Sequence, residues 1–383
     1  MPWKETCPMD EKIKFISLVK SDVYSFAEAC RRFGISRKSG YVLLARYERE
    51  GAGGLEPRSR AVHHHPNATE QSMIAQLLEM KGRYPKLSAG KVLDRLRMEG
   101  QAQGLPARST VGELFKRYGL IQPRKRTAAR AGQGSALSNP STPNALWSVD
   151  FKGHFRLGNH SWCYPLTLSD YSSRYLLLCQ GLLHPSEQAV WPYMERSFRQ
   201  YGLPEAIRSD NGAPFASVAL GGLTRLAIWW LKLGIRLERI CPGHPEQNPR
   251  HERMHRTLKA DIDAPRHSLR AQQRRFDWFE HYYNVQRPHD ALGGVPPSYR
   301  YVPSARAYPA RIAQPEYDAA FVVRRVRSNG QIKWQGHLLF ISEALIGEPI
   351  GLLPLDEDRW QLWFSTLQLG VLNMRTKKIE RPG

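Results

Sequence analysis

Paired zinc-binding cysteines are missing from this chain. Its five cysteines, Cys7, Cys30, Cys163, Cys179 and Cys241, stand far apart and form no C-x-x-C pair. That excludes a zinc ribbon or a disulfide framework as the organising device. His63-His64-His65 has no cysteine pair beside it and reads as a solvated linker rather than a metal tract. No run of about 18 apolar residues occurs, and Met1-Pro2-Trp3-Lys4-Glu5 has no apolar signal core. A soluble, cytoplasmic protein with no membrane partner is expected. Acid is scarce as well: 35 Asp and Glu face 56 Lys and Arg, for a formal charge of +21 and a pI near 10.0. The excess recurs along the whole chain. A polyanionic partner follows, and nucleic acid outranks a membrane surface.

The 383 residues are enough for several domains with cores of their own, and five segments are expected. Residues 1–60 read as three helices. Ile13, Phe15, Ile16, Leu18 and Val19 mark the first, and Ser25 with Glu28 forms a capping box for the second. Gly34-Ile35-Ser36 turns the chain into the third. Helix, glycine turn, helix is a DNA-reading arrangement, with Arg37 and Lys38 opening the reading helix; a basic three-helix bundle is the alternative. Residues 61–122 add helices expected at 69–81, 88–99 and 109–118, each opened by Ser or Thr. They form a second helix-turn-helix-like module with Arg108 at its reading end. Residues 123–143 are a basic tether in which Arg124, Lys125 and Arg126 meet phosphates.

Residues 144–303 mix strands and helices, which suggests an α/β core with a mixed sheet and helices packed on it. Trp229 and Trp230 are expected in that core. Residues 304–383 carry short strands expected at 321–326, 331–340, 350–355, 359–364 and 368–372, a small all-β barrel. The expected fold class is therefore multidomain, with N-terminal all-α modules, a central α/β core and a C-terminal barrel.

Three carboxylates stand out in the middle segment. Asp150 sits inside an apolar strand, where an unpaired charge is costly. Asp210 ends a short strand, at an edge where open sheets place ligands. Glu252 falls in the first turn of a helix that Asn248 caps and Pro249 opens. Arg256 and Lys259 follow on the same face. Three such acids need a counter-cation to stay ionised together. Hard oxygen donors select Mg²⁺ or Mn²⁺, and two such ions would serve an in-line displacement at phosphorus. His244, His251 and His255 are expected to meet solvent or DNA.

Trp147-Ser148-Val149-Asp150-Phe151, Ser209-Asp210-Asn211-Gly212 with Pro214-Phe215, and Glu252-Arg253-Met254-His255-Arg256-Thr257-Leu258-Lys259 resemble the integrase-core DDE transposases of bacterial insertion sequences, relatives of retroviral integrases. Gln286-Arg287-Pro288-His289, with Ala291-Leu292 and Pro296-Pro297, resembles the segment that follows that core. The resemblance spans about residues 140–300. It implies an RNase H-like core with Asp150, Asp210 and Glu252 as ligands of two Mg²⁺ or Mn²⁺ ions. It also implies strand cleavage by water, then joining of the freed 3′-hydroxyl to target DNA. The implied partners are double-stranded DNA, as element ends and as target, and further copies of the chain in a homo-oligomer. Arg256 and Lys259 would hold terminal DNA, and the protein would be bacterial and nucleoid-associated. Two departures stand beside these implications. Pro249 occupies a place where a small residue is expected, and the long span after Asp210 leaves Glu246 as a rival third acid. A silent DNA-binding end-binder or repressor and a nuclease that cuts without joining are the other readings.

Overall fold

The computed structural model describes residues 7–58, 68–101, 103–121, 137–217, 219–241, 243–262 and 264–380. Arg124, Lys125, Arg126 and His63-His64-His65 lie outside the described residues. The chain forms two compact units, Met1–Thr69 and Glu70–Gly383.

In the first unit, α1 (Pro8–Lys20), α2 (Phe26–Arg32) and α3 (Arg37–Glu50) enclose Phe15, Ile16, Ala29, Cys30 and Leu55. Ser25 Oγ accepts from the Glu28 amide at 3.4 Å, and Ser36 Oγ from that of Ser39 at 3.1 Å. These bonds satisfy orphan donors at the starts of α2 and α3. Gly34, at φ +63°, makes the turn between them. Gly40 is required by contact: a Cβ there would sit 2.7 Å from Cys30 Sγ. Arg37 and Lys38 are exposed at the start of α3.

The second unit opens with α4 (Gln71–Arg83), α5 (Ala89–Met98) and α6 (Arg108–Arg117), packed around Leu77, Val92, Leu93, Leu96, Val111 and Phe115. Only α5 follows a Ser or Thr; Glu70 precedes α4 and Ala107 precedes α6, and none of the three starts has a side-chain cap bond. Packing of the apolar faces holds these helices instead.

The central sheet contains β1 (Trp147–Phe151), β2 (Phe155–Arg156), β3 (Trp162–Asp170), β4 (Leu176–Leu182), β5 (Ala206–Ser209) and β6 (Arg236–Arg239). The main order is β4-β3-β1-β5-β6, with β2 also paired to β3. β1 runs antiparallel to β3 and parallel to β5, so the sheet is mixed. Side chains alternate across it. Trp147, Val149, Leu166 and Leu168 face α7 (Glu187–Tyr201) and α8 (Arg225–Lys232) in one core. Ser148, Asp150, Thr167 and Ser169 belong to the other face, which α9 (Pro249–Asp261) and α10 (Leu269–His281) cover.

Helix α8 serves two cores. Trp229 and Trp230 enter the sheet core, and Trp229 stacks on Trp191 with centroids 4.2 Å apart. Ala227, Ile228 and Leu231 enter the core of the C-terminal strands. Those strands are β7 (Val322–Arg325), β8 (Gln331–Trp334), β9 (His337–Phe340), β10 (Pro349–Pro354), β11 (Arg359–Phe364), β12 (Leu367–Asn373) and β13 (Lys378–Glu380). They form an antiparallel sheet, β13-β12-β11-β10-β7, and a separate hairpin, β8-β9. No pairing among the described residues closes it into the expected barrel. The single strand expected at 331–340 is instead a hairpin, because Gln335 and Gly336 both take positive φ and reverse the chain.

Candidate active site

The polar stripe of the central sheet carries the first acid. Asp150 lies on β1 opposite Thr167 of β3, with its side chain 24% exposed. The parallel register pairs Ser148 with Arg208, and Asp210 follows directly after the end of β5. Glu252 comes from the first turn of α9. Burial, then Asp210, then Glu252 push the Asp150 carboxyl up to about 7. Desolvation and like charge both disfavour its anion. Lys152 and a hydrogen bond with the Phe151 backbone partly oppose this.

Beneath the acids lie His251 and His255, one helical turn apart on the buried face of α9 and each 1% exposed. His251 Nδ1 is 2.7 Å from Ser169 Oγ, and its Nε2 is 2.9 Å from Thr167 Oγ1. His255 Nε2 reaches the same Thr167 oxygen at 2.7 Å. His255 Nδ1 lies 3.8 Å from Asp150 Oδ2 and 3.9 Å from Glu252 Oε1. Burial holds both imidazoles neutral, His251 down to about 3 and His255 lower still. The expectation that these two histidines meet solvent or DNA is therefore corrected. The sheet supplies hydroxyl partners that make their burial affordable. Their i, i+4 spacing on one helix face was the available sequence signal. His244 is exposed and bonds Glu246 at 2.7 Å within the loop before α9.

That loop is tied down from below. Arg208, 1% exposed, pairs with Glu238 at 2.9 Å and donates to the Gln247 carbonyl at 3.2 Å. Asn248 precedes α9 but makes no side-chain cap bond. Its Oδ1 accepts instead from the buried Ser148 hydroxyl at 3.1 Å, which has no water to turn to. Pro249 is the first residue of α9, where its missing N–H breaks nothing.

The cations gather elsewhere. Lys86, Lys91, Arg108, Arg174, Arg253 and Arg287 line a cleft of about 250 Å³ that also holds Asp290. Arg108, expected at a reading end, stands there across from α9. Burial and Arg287 pull the Lys91 ammonium down to about 8. A second groove of about 370 Å³, beginning two residues past Asp150, brings Lys152, His154 and Lys259 together. Arg256 is exposed.

The integrase core domain family matches residues 140–245 and, through a second description, residues 233–297. A helix-turn-helix domain matches residues 11–61, and the C-terminal domain of IS481 family transposases matches residues 321–380. Residues 140–297 are thus similar to integrase cores, flanked by a helix-turn-helix match and a transposase C-terminal match. The chain is 28% identical over 240 residues to an uncharacterised 39.2 kDa protein of insertion element IS476 from Xanthomonas euvesicatoria, covering 61% of this chain and 65% of that one. It thus spans just under two thirds of that relative. To a 31.7 kDa protein of insertion element IS407 from Burkholderia multivorans it is 27% identical over 262 residues, covering 63% and 85%. To the Pol polyprotein of feline endogenous virus ECE1 it is 29% identical over 138 residues, covering 35% and 12%. Among solved structures, a chain of a simian T-cell lymphotropic virus intasome aligns at TM-score 0.35 and 12% identity, covering 73% of this chain and 98% of that one. The HTLV-2 integrase catalytic core in complex with magnesium aligns at TM-score 0.33 and 14% identity, covering 42% and 98%.

The acids expected at 150, 210 and 252 are electrostatic neighbours, while Glu246 is engaged with His244. Sequence reasoning missed Lys86, Lys91, Arg174, Arg253 and Arg287, which come from separate segments and share no local pattern.

Proposed function

We propose that this chain is a DNA transposase that binds the ends of an insertion sequence, cuts a strand with water and joins the freed 3′-hydroxyl to target DNA. The observation that carries this is the convergence of Asp150 of β1 and Glu252 of α9 on the buried His255, whose Nδ1 lies 3.8 and 3.9 Å from their carboxylate oxygens. Asp150, Asp210 and Glu252 would hold two Mg²⁺ or Mn²⁺ ions, and their oxygen donors fit such hard cations. Bound there, the ions would supply Lewis-acid activation of the attacking oxygen and charge relief for the leaving one. The protein's own part is placement. Asp150 on β1, Asp210 just past β5 and Glu252 at the start of α9 would supply the ligands. In this reading the sheet is that of an RNase H-like core.

DNA would lie across Lys152, Lys259 and Arg256 beside the acids and enter the cation cleft at Lys91, Arg253 and Arg287, with Arg37, Lys38 and Arg108 contributing from the helical modules. The working division is 1–60 and 61–122 for DNA-binding modules, 123–143 for a basic tether, 144–303 for the core and 304–383 for the β domain. Two element ends must meet, so a homo-oligomer on double-stranded DNA belongs to the proposal.

The test is strand transfer by the full chain with the element's own flanking DNA, with Mg²⁺ or Mn²⁺. Joined products that vanish in Asp150→Asn support the reading. Cleavage without joining makes the protein a nuclease, and tight DNA binding with no chemistry under either metal makes it a silent end-binder.

A further inference from the structure

The hydroxyl of Thr167 has one proton and three polar neighbours. It lies 3.0 Å from the Asp150 carbonyl, which can only accept, so the proton goes there. The two imidazole Nε2 atoms, at 2.9 and 2.7 Å from the same oxygen, must then be the donors. In the tautomer with its single N–H on Nε2, each ring presents a lone pair at Nδ1. His251 Nδ1 accepts from the Ser169 hydroxyl at 2.7 Å. His255 Nδ1 faces Asp150 Oδ2 at 3.8 Å and Glu252 Oε1 at 3.9 Å, both beyond hydrogen-bond reach. The lone pair thus faces one carboxylate oxygen of each acid, and Asp150, His251 and His255 offer ligand atoms all within 4.8 Å of one another. Two donors about 2.1 Å from one ion lie at most about 4.2 Å apart, so one cation can bridge His255 Nδ1 and Asp150 Oδ2.

Resting on the carboxylate reading above, we infer that His255 is a nitrogen ligand in the cation site of this protein, beside Asp150. The Thr167 hydroxyl holds its tautomer, as partners behind a ligating imidazole do. A nitrogen donor shifts preference from Mg²⁺, which favours oxygen, toward Mn²⁺ and later first-row ions.

The test is electron spin echo envelope modulation of Mn²⁺ bound to the full chain, with natural and ¹⁵N-labelled histidine, and Mn²⁺ and Mg²⁺ titrations beside it. Modulation from one directly bound imidazole nitrogen is expected, altered by the label and absent in His255→Gln. Mn²⁺ affinity should fall about 10-fold or more in that variant, and the preference for Mn²⁺ over Mg²⁺ should narrow. In Thr167→Val, whose ring still has its Nδ1 but not its anchor, the modulation should weaken. A wild-type spectrum without nitrogen coupling, while Mn²⁺ binding still depends on Asp150, overturns the assignment and leaves the carboxylate reading standing. Coupling that persists in His255→Gln also overturns it. Mn²⁺ binding that is indifferent to Asp150→Asn sinks the carboxylate reading itself. The labelled wild-type spectrum decides the matter even if a variant fails to fold.

Discussion

Two clusters of like charge share helix α9. On its sheet side, Asp150, Asp210 and Glu252 crowd one another around buried neutral histidines. On its other side, Arg253 joins Lys86, Lys91, Arg108, Arg174 and Arg287 around an open cleft. Both clusters drift toward neutrality, Asp150 up to about 7 and Lys91 down to about 8. Their construction differs. The acids come from a strand, from the residue after a strand and from a helix start, an arrangement that would suit a small ion with strict geometry under the proposed function. The cations sit on long side chains from separated elements, which suits a polyanion whose charge is spread along a backbone. In the proposed reading, rigid placement suits chemistry and reach suits binding.

The sharpest way to break that contrast is to neutralise one side at a time. Asp150→Asn, Asp210→Asn or Glu252→Gln is expected to lower strand transfer by about 10³-fold or more, equivalent to roughly 4 kcal/mol. Filter-binding affinity for DNA should stay or rise. Glu246→Gln tested alongside should keep most activity; if it alone abolishes joining, the third acid has been misassigned.

Arg208 tests whether the acid cluster depends on the loop before α9. Arg208→Met leaves Glu238, 11% exposed, without its partner and should cost about 3–5 kcal/mol in chemical denaturation. Adding Glu238→Leu should recover much of that loss. In the cleft, Arg253→Ala and Arg287→Ala should each weaken DNA binding with little sequence dependence. Each should reduce the slope of log affinity against log salt by about 1, while Mn²⁺ affinity holds.

The smallest effect comes from an acid outside the trio. Burial, chiefly, raises the Glu280 carboxyl from an ordinary 4.5 to about 7 in the folded state. The folded chain therefore binds a proton that the unfolded chain has already released, and stability falls as pH climbs through that window. Glu280→Gln should stabilise the protein by on the order of 1–3 kcal/mol at pH 8 and by little at pH 4. A stabilisation equal at both pH values would show that the raised carboxyl is not its origin.

Local elements were readable because their causes are local. Ser25, Ser36 and Gly34 mark helix ends in the first module, and they do so in the structure. Alternation along residues 147–151 and 164–169 marks strands, and β1 and β3 lie there. Asn248 misled, since a good cap residue also makes a good partner for a buried hydroxyl, and the latter bond formed. His251 and His255 misled similarly. Imidazole is usually a surface group, and nothing in α9 announces that Thr167 and Ser169, some eighty residues away, will receive it.

By itself the sequence determined the basic charge, the helical and strand segments and the three acids worth watching, because composition, periodicity and capping act over a few residues. Only the tertiary structure decided that the imidazoles of α9 lie beneath the acids, that Asn248 turns inward, and that cations from distant segments share one cleft. Those outcomes depend on which sheet face a helix covers and which buried polar groups then need partners. Both are settled by contacts between residues that are strangers along the chain.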